Sequence, residues 1–280
     1  MHVVRSSVVY AALSVALLVP AASVRAQRPY GADYSHWNGT ITPSQWATLY
    51  ASGWVFAFTK ATESVDYTDV TFVNNMVNAR NAGIYIGGYH FARPEYGNTA
   101  VAEANYFVSV AGAYISAGYL RPVLDLETGY SLGATALSNW VNAWMDRVQT
   151  LTGVEPIIYT NTNYATYYLN STVANRILWI ANWPTNPDPQ NGNPGIGVFN
   201  AWTFWQYTAT GTLPGLSGSH DLDVFNGTYA QLQNHLIPGG TQPPSITQHP
   251  ASTSTVPGSS ASFTVGATGG TPLSYQWQKN

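Results

Sequence analysis

The sequence contains no cysteine among its 280 residues, and charged side chains make up only 8% of it. The lack of cysteine excludes a small disulfide-stapled scaffold and a thiolate metal site. Acidic residues outnumber basic ones, 13 to 10, which argues against nucleic acid as a partner because nucleic-acid-binding domains are basic. Stability must come from burial, and a 45% hydrophobic chain of this length suffices for one domain of about 200 residues with appended segments.

The first 26 residues are predicted to lie outside that domain. Arg5 precedes an apolar run over residues 8–22, and a small-x-small pattern follows at residues 24–26. This arrangement is typical of a secretory signal peptide cleaved before Gln27, and a single-span anchor is the alternative. Without Arg5 and Arg25, 8 basic residues remain against 13 acidic ones, a net charge of −5. We expect a secreted protein that has no membrane contact after cleavage.

Residues 27–238 alternate between strand-like and helix-like stretches. Eight strands are predicted, at residues 31–35, 54–60, 84–91, 122–127, 156–160, 177–181, 203–207 and 222–225. A capping box of Thr42 and Gln45 predicts the start of the first helix. Helical periodicity is clearest over residues 137–151, whereas Pro-, Gly- and Asn-rich loops join the last three strands. The pattern predicts an α/β fold, a TIM-like barrel without its late helices, of the (β/α)5(β)3 type. A doubly wound open sheet is the alternative, although no glycine-rich phosphate turn follows the first strand.

The composition changes after residue 238. A linker is predicted over residues 239–246, followed by a Ser-, Thr-, Pro- and Gly-rich segment at 247–280. Residues 260–265 and 274–278 alternate in the manner of strands. The segment resembles the opening strands of a bacterial immunoglobulin-like domain, with Trp277 at the position of that family's core tryptophan. Since such a domain takes about 100 residues, we expect an incomplete immunoglobulin-like segment.

Carboxylates fall at the predicted strand ends. Asp33 follows the first strand, Asp125 and Glu127 lie on the fourth, and Asp221 and Asp223 belong to the eighth. The C-terminal strand ends of a barrel share one mouth, so we expect these acids to meet there. Asp125 and Glu127 are two residues apart, which places both on one side of the strand with Cα atoms about 6.5 Å apart.

Two carboxylates held this close cannot both ionise freely, so the pKa of one should rise. A carboxylic acid of raised pKa can protonate a leaving oxygen, which is the difficult step in breaking a glycosidic bond. Each acid taken singly is more easily explained as a loop cap. The combination, in a chain so poor in charge, favours catalysis.

Six motifs follow one another along residues 29–236. They are GADYSHWNG at 31–39, FTKATE at 58–63, GYHFARP at 88–94, PVLDLE at 122–127, PIIYT at 156–160, and WQYT at 205–208 followed by HDLDVF at 220–225. In this order they closely resemble the glycoside hydrolase family 25 lysozymes, the Chalaropsis-type N-acetylmuramidases. The resemblance implies a secreted lysozyme that hydrolyses the β-1,4 bond between N-acetylmuramic acid and N-acetylglucosamine in peptidoglycan.

The resemblance also implies roles for the acids. Glu127 would be the general acid/base. Asp125 would orient the 2-acetamido group of the substrate, whose carbonyl oxygen acts as the internal nucleophile in substrate-assisted retention. Asp33 and Asp221 would be the other two catalytic acids, and the register of Asp221 against Asp223 remains open, with Asp223 near the substrate.

Five further residues are candidates for substrate binding. Tyr89 and Tyr159 would line the sugar cleft and Trp205 would stack on a ring, with ordinary barrel packing as the alternative for all three. Lys60 lies at a strand end near the acids, where it would pair with a carboxylate and lower its pKa. Glu63 belongs either to the edge of the site or to a loop cap.

Other chemistries find little support. His90 follows the third strand, and we interpret it as a hydrogen-bonded wall residue rather than an acid or base. No spacing of His, Asp and Glu indicates a metal, no cofactor is expected, and no nucleophile-elbow motif supports a serine hydrolase. The expected partner is the glycan strand of peptidoglycan, and the expected state is a monomer.

Two alternative functions remain. A chitinase or endo-N-acetylglucosaminidase also carries Asp-x-Glu on a barrel strand, but Pro122 and Val123 stand where those families have further acids. A non-catalytic wall-binding module would keep the barrel and lose the chemistry, although all four acids expected from the family are present.

Overall fold

The computed structural model describes residues 27–238, 245–252, 254, 256 and 260–268, so the predicted signal peptide lies outside the described residues. The described chain begins with β1 (Tyr30–Tyr34), α1 (Pro43–Ala51), β2 (Trp54–Glu63), β3 (Tyr67–Thr68), α2 (Phe72–Asn81), β4 (Tyr85–Phe91), α3 (Ala100–Ala111) and β5 (Val123–Asp125). It continues with α4 (Ala134–Thr152), β6 (Ile157–Asn161), α5 (Thr162–Tyr167), β7 (Ile177–Ala181), β8 (Phe204–Gly211), β9 (His220–Phe225) and α6 (Tyr229–Gln233).

Eight of these strands close into a barrel. The ring is complete because β1 pairs with both β2 and β9, while β3 is a short antiparallel partner of β2 outside it. Helices α1 to α5 belong to the first five barrel strands, and no helix joins β7 to β8 or β8 to β9. The predicted (β/α)5(β)3 barrel is therefore confirmed, and the open doubly wound sheet is wrong.

The direction of the last barrel strand corrects the prediction. All the acids were assigned to the C-terminal ends of strands, but Asp221 is the second residue of β9. Because β9 is antiparallel to both β1 and β8, its N-terminal end lies at the mouth that the C-terminal ends of the other seven strands surround. An alternating sequence reads the same in either direction, so the pattern alone could not distinguish the two orientations.

Local sequence signals account for the helices that cover the barrel. Thr42 and Gln45 form the predicted capping box of α1, with Thr42 N–H donating to Gln45 Oε1 at 2.9 Å. Helix α4 buries Leu137, Val141 and Trp144 on one face, as its 3.6-residue period predicts. Within the described residues, no helix combines the length and apolar character that crossing a membrane requires.

On β2 and β8 the inward-facing side chains change from apolar to polar towards the mouth of the barrel. Aromatic rings fill the interior, where Phe58 stacks on Trp179 at 4.5 Å between ring centroids and meets Phe204 edge-on at 5.2 Å. One pleat further towards the mouth, Lys60 follows Phe58 and Gln206 follows Phe204. The packed aromatic floor leaves space for a cleft only at the mouth.

The C-terminal segment differs in detail from the prediction. Strand β10 (Ser245–Gln248) pairs in antiparallel fashion with β11 (Gly266–Thr268). Thus β10 begins inside the predicted linker, and residues 260–265, predicted as a strand, precede the paired stretch and are irregular. Alternation gives a strand only where a neighbouring chain supplies hydrogen bonds. Residues 274–278 and Trp277 lie outside the described residues.

Gly31 on β1 provides a test of the barrel interior. A Cβ atom at this position would lie 2.3 Å from the Phe56 ring, which is a rigid neighbour in a packed layer. We expect Gly31→Ala to lower the free energy of unfolding by about 1–3 kcal/mol through overpacking. Urea denaturation followed by tryptophan fluorescence measures the change.

Gly112 is the matched control. A Cβ atom there would meet only Val108 Cγ1, at an ordinary 3.6 Å, and its φ of −55° suits any residue. We expect Gly112→Ala to be neutral or to stabilise the fold by up to about 1 kcal/mol. Equal destabilisation by the two substitutions would contradict this description of the barrel interior.

Candidate active site

A cleft of about 240 Å³ opens at the mouth of the barrel. It is lined by Asp33, Ser35, Trp37, Lys60, Tyr89, Phe91, Asp125, Glu127, Tyr159, Trp179, Trp183, Gln206 and Asp221. Seven of the ten predicted site residues are in this set. The structure brings together all four predicted catalytic acids.

Strand pairing explains how acids distant in sequence meet. Asp33 on β1 lies directly opposite Asp221 on the antiparallel β9. Asp125 ends β5, and its side chain faces the cleft from the other side of the barrel. The register therefore places Asp221 at the cleft, whereas Asp223 lies one pleat deeper and is fully buried.

Glu127 lies two residues beyond the end of β5, although the sequence predicted a strand to 127. The chain nevertheless continues beside β6 after Asp125. Leu126 N–H donates to the Tyr159 carbonyl at 2.9 Å, and the Thr160 hydroxyl donates to the Leu126 carbonyl at 2.8 Å. These two bonds fix the backbone next to Glu127 and keep its side chain in the cleft beside Asp125.

The acids of the cleft are held in an environment that disfavours charge. Burial raises the pKa of Asp125 well above its ordinary value, and the neighbouring Glu127 carboxylate raises it further. Glu127 is exposed at the mouth, yet desolvation of its carboxyl group by the surrounding cleft also raises its pKa, although a hydrogen bond from the Tyr159 hydroxyl opposes this shift. Burial raises the pKa of Asp221 to about 6. The cleft therefore holds proton donors at pH values where exposed carboxylic acids are ionised.

Lys60 is the only lysine or arginine among the lining residues. Its Nζ pairs with the carboxylate of Glu63 at 2.5 Å and acts to lower the pKa of that group, as predicted, and its charge also acts to lower the pKa of both Asp125 and Glu127. Glu63 does not line the cleft; its other oxygen accepts from Arg93 at 2.6 Å. Glu63 thus ties Lys60 to Arg93 at the edge of the site.

The predicted aromatic residues divide into two groups. Tyr89 and Tyr159 are buried in the cleft wall, and the Tyr159 hydroxyl lies 3.0 Å from Gln206 Oε1. Trp205 is only 2% exposed and packs outside the barrel wall against Trp202, so the structure contradicts its assignment to sugar stacking. Successive residues of a strand face opposite sides, and on β8 the neighbour that enters the cleft is Gln206.

Three important cleft residues escaped the sequence analysis. Gln206 donates from Nε2 to Asp33 Oδ2 at 2.7 Å and accepts from Trp183 Nε1 at 3.1 Å. Trp37 and Trp183 are 85% and 58% exposed, and both form part of the cleft lining. Exposed tryptophans at a cleft are suited to stacking on sugar rings. Their positions just after the first and sixth barrel strands could have identified them.

His90 lies behind the cleft wall and is fully buried. Its ring nitrogens lie 2.8 Å from the Thr62 hydroxyl and 2.8 Å from Glu103 Oε2, and the ring stacks on Trp144. His90 is therefore the hydrogen-bonded wall residue that the sequence favoured. No group of three or more His, Asp and Glu side chains in the described part of the chain has the arrangement of a metal site.

The geometry defines a class of protein. Carboxylic acids of raised pKa, gathered at the mouth of a barrel and flanked by exposed tryptophans, constitute a site for acid catalysis on carbohydrate. Residues 32–216 match the family model of the glycosyl hydrolases family 25. The chain belongs to this family and is a glycoside hydrolase.

Relatives and solved structures agree with this assignment. Lysozyme M1 of Streptomyces globisporus is 38% identical over 213 residues, which cover 72% of this chain and 69% of that protein. An N,O-diacetylmuramidase of Arthroderma benhamiae is 32% identical over 240 residues, covering 80% and 94%. The structure of a lysozyme from Streptomyces coelicolor superposes with a TM-score of 0.65 at 35% identity, covering 74% of this chain and 96% of that one.

The burial of Asp221 predicts how stability depends on pH. Its pKa is about 6 in the folded protein, whereas an aspartate in an unfolded chain has an ordinary value near 3.8. Between these values the folded state holds the extra proton, so ionising Asp221 destabilises the fold as the pH rises through this window. We expect Asp221→Asn to raise the free energy of unfolding by about 2–3 kcal/mol above pH 6 and to have little effect below pH 4.

Denaturant unfolding at several pH values measures this difference. Asp146→Asn is the control, because the Asp146 side chain is 63% exposed and pairs only with Arg176 at the surface. It should change stability by less than about 1 kcal/mol. A pH-independent effect of Asp221→Asn would mean that Asp221 is not held in its protonated form by burial.

Proposed function

We propose that this protein is a secreted lysozyme that hydrolyses the β-1,4 bond between N-acetylmuramic acid and N-acetylglucosamine in peptidoglycan. The observation that carries the proposal is the convergence of Asp33, Asp125, Glu127 and Asp221 in one cleft. Relatives named lysozyme and N,O-diacetylmuramidase support the choice of substrate. The leader-like pattern of residues 1–26 supports secretion.

In the proposed reaction Glu127 acts first as an acid and then as a base. Its raised pKa favours a protonated carboxyl group that can give its proton to the leaving glycosidic oxygen. Departure of the leaving sugar converts Glu127 to the carboxylate, which then takes a proton from the incoming water. The Tyr159 hydroxyl, by its hydrogen bond, stabilises the carboxylate form that appears between the two steps.

Asp125 is assigned to the acetamido group of the substrate. The carbonyl oxygen of the acetamido group attacks the anomeric carbon of the same sugar. Asp125 accepts a hydrogen bond from the acetamido N–H. This bond directs the carbonyl oxygen and stabilises the positive charge that develops on the group. The position of Asp125 beside Glu127, in the same cleft and under its electrostatic influence, supports this division of roles. Two successive displacements at the anomeric carbon give overall retention of configuration.

Glu127→Gln tests the assignment of the acid. The amide keeps the size of the side chain but has no acidic proton to give, so we expect kcat on purified peptidoglycan to fall by about 100- to 10,000-fold. Glu155→Gln is the matched control, because Glu155 precedes β6 at the opposite end of the barrel. It should leave both activity and thermal unfolding unchanged. Wall lysis by Glu127→Gln at the parent rate would contradict the catalytic role.

The bond that is cut is tested by the products. Fragments released from purified peptidoglycan, reduced with borohydride and analysed by mass spectrometry, should carry reduced muramic acid at their ends. Reduced glucosamine ends would instead identify an endo-N-acetylglucosaminidase. Binding to walls without any release of fragments would identify a wall-binding module.

A further inference from the structure

Asp223 is a buried acid that the proposed reaction does not use. It is fully buried on β9, one pleat below Asp221, and does not line the cleft. Trp179 Nε1 donates to its Oδ1 at 2.8 Å. Its other oxygen, Oδ2, is buried and receives no hydrogen bond from an N–H or O–H of the described residues. An unsatisfied carboxylate oxygen in such a place is strongly unfavourable.

Asp33 is the nearest candidate to satisfy that oxygen. Asp33 on β1 and Asp223 on β9 lie on the same face of two neighbouring antiparallel strands, one pleat apart, and their carboxyl groups interact. Asp33 Oδ2 already accepts from Gln206 Nε2 at 2.7 Å. The orientation of the Gln206 amide is fixed because its Oε1 accepts from Trp183 Nε1, an indole N–H that can only donate. Each acid of the pair thus has one N–H donor of its own and faces the other acid.

Neither acid of the pair is neutralised by a cation in the part of the chain that the structure describes. Within residues 27–238, no Lys, Arg or His forms an ion pair with Asp33 or Asp223. Lys60 on β2 lines the same cleft as Asp33 but pairs with Glu63. The other ionisable groups around the pair are acids or phenols, namely Asp221 on β9, Asp125 and Glu127 at β5, Tyr34 on β1, Tyr89 on β4 and Tyr159 on β6. Burial and the like charge of Asp221 raise the pKa of Asp33 and Asp223 well above the ordinary value.

We propose that Asp33 and Asp223 share a single proton at the floor of the cleft, and that Asp223 acts as a positioning residue for Asp33. Two buried carboxyl groups in contact are stable with one proton between them, because the proton removes the like-charge repulsion and satisfies the free Oδ2 of Asp223. The pair carries one negative charge at neutral pH. Asp223 therefore sets both the orientation and the charge of the carboxyl group that Asp33 presents to the substrate.

Two substitutions at Asp223 separate this role from a purely structural one. In Asp223→Asn the amide N–H can donate to Asp33 and the amide oxygen can accept from Trp179, so the pair keeps its hydrogen bonds and its single negative charge. Asp223→Leu keeps the branched shape of the side chain, although it is larger, and offers neither group. Asp33 then loses its partner and Trp179 loses its acceptor.

The effect on turnover rests on the proposed function. We expect Asp223→Leu to reduce kcat by about 10- to 100-fold, because Asp33 is no longer held in place, and Asp223→Asn to retain at least 10-fold more activity than Asp223→Leu. The pH profile of kcat/KM should keep the parent shape in the Asn variant and change in the Leu variant. Equal loss of activity in both variants, with both folded, would overturn the positioning role.

The shared proton can be observed without any activity. The chain has eight aspartates, so carboxyl-13C labelling of aspartate gives a titration that can be assigned by substitution. In the unaltered protein one of the two carboxyl groups should remain protonated at neutral pH. In Asp223→Asn the Asp33 carboxyl should ionise at lower pH, since its acidic neighbour is gone and an amide donor stabilises its charge.

Asp69 provides an internal reference for that titration. Burial acts to raise the pKa of Asp69, but hydrogen bonds from Thr71 and His36 outweigh this and lower it. Its resonance should therefore titrate at low pH in every variant. Ionisation of both Asp33 and Asp223 below neutral pH would overturn the shared proton. Failure to cleave peptidoglycan, with the titration as predicted, would instead contradict only the proposed function.

Discussion

The structure depends on confining carboxyl groups to the polar end of a barrel whose remaining interior is aromatic. Four acids line one cleft with a single lysine among the lining residues, and a fifth, Asp223, lies beneath them. Asp33, Asp125 and Asp223 are buried, whereas Glu127 and Asp221 reach the open mouth of the cleft, so the acids cannot all be ionised at neutral pH. The burial that lets these acids donate protons at neutral pH also lowers the stability of the folded protein. The fold tolerates this cost because its hydrophobic layers, inside and outside the barrel wall, are extensive.

Hydrogen bonds between side chains turn this group of acids into an ordered site. Gln206 links Asp33 to Tyr159 and Trp183, so one amide joins the floor, the wall and the exposed rim of the cleft. On the other side of the cleft, Glu63 pairs with both Lys60 and Arg93. Lys60 is therefore not paired directly with any of the four cleft acids. The charge of Lys60 thus moderates the acids without neutralising any of them. Such an arrangement keeps each acid available to the substrate.

Much of the fold followed from the sequence because the patterns involved are local. Apolar runs marked the eight strands, a 3.6-residue period marked α4, and a capping box marked the start of α1. The acids were found because Asp125 and Glu127 share a side of one strand end and Asp33 and Asp221 lie near other ends. These deductions need only the period of a strand and the closure of a barrel.

The sequence could not show how the strands pair with one another or which face of a strand turns into the barrel. The antiparallel course of β9 depends on pairing with β1 and β8, and the choice between Trp205 and Gln206 as the cleft residue depends on which face of β8 turns inward. The partner of Lys60 could not be predicted either, since Glu63 and the cleft acids were all within reach of a flexible side chain. The exposed Trp37 and Trp183 carry no periodic signal, because both follow the ends of strands.

A crystal structure of the protein with a bound peptidoglycan tetrasaccharide, in the Glu127→Gln form that prevents turnover, tests the central claim most directly. We expect the saccharide to cross the cleft between Trp37 and Trp183, with its central glycosidic oxygen in hydrogen-bonding contact with the side chain at position 127 and an acetamido group against Asp125. A saccharide bound elsewhere on the barrel, or one whose glycosidic oxygen faces away from position 127, would contradict it.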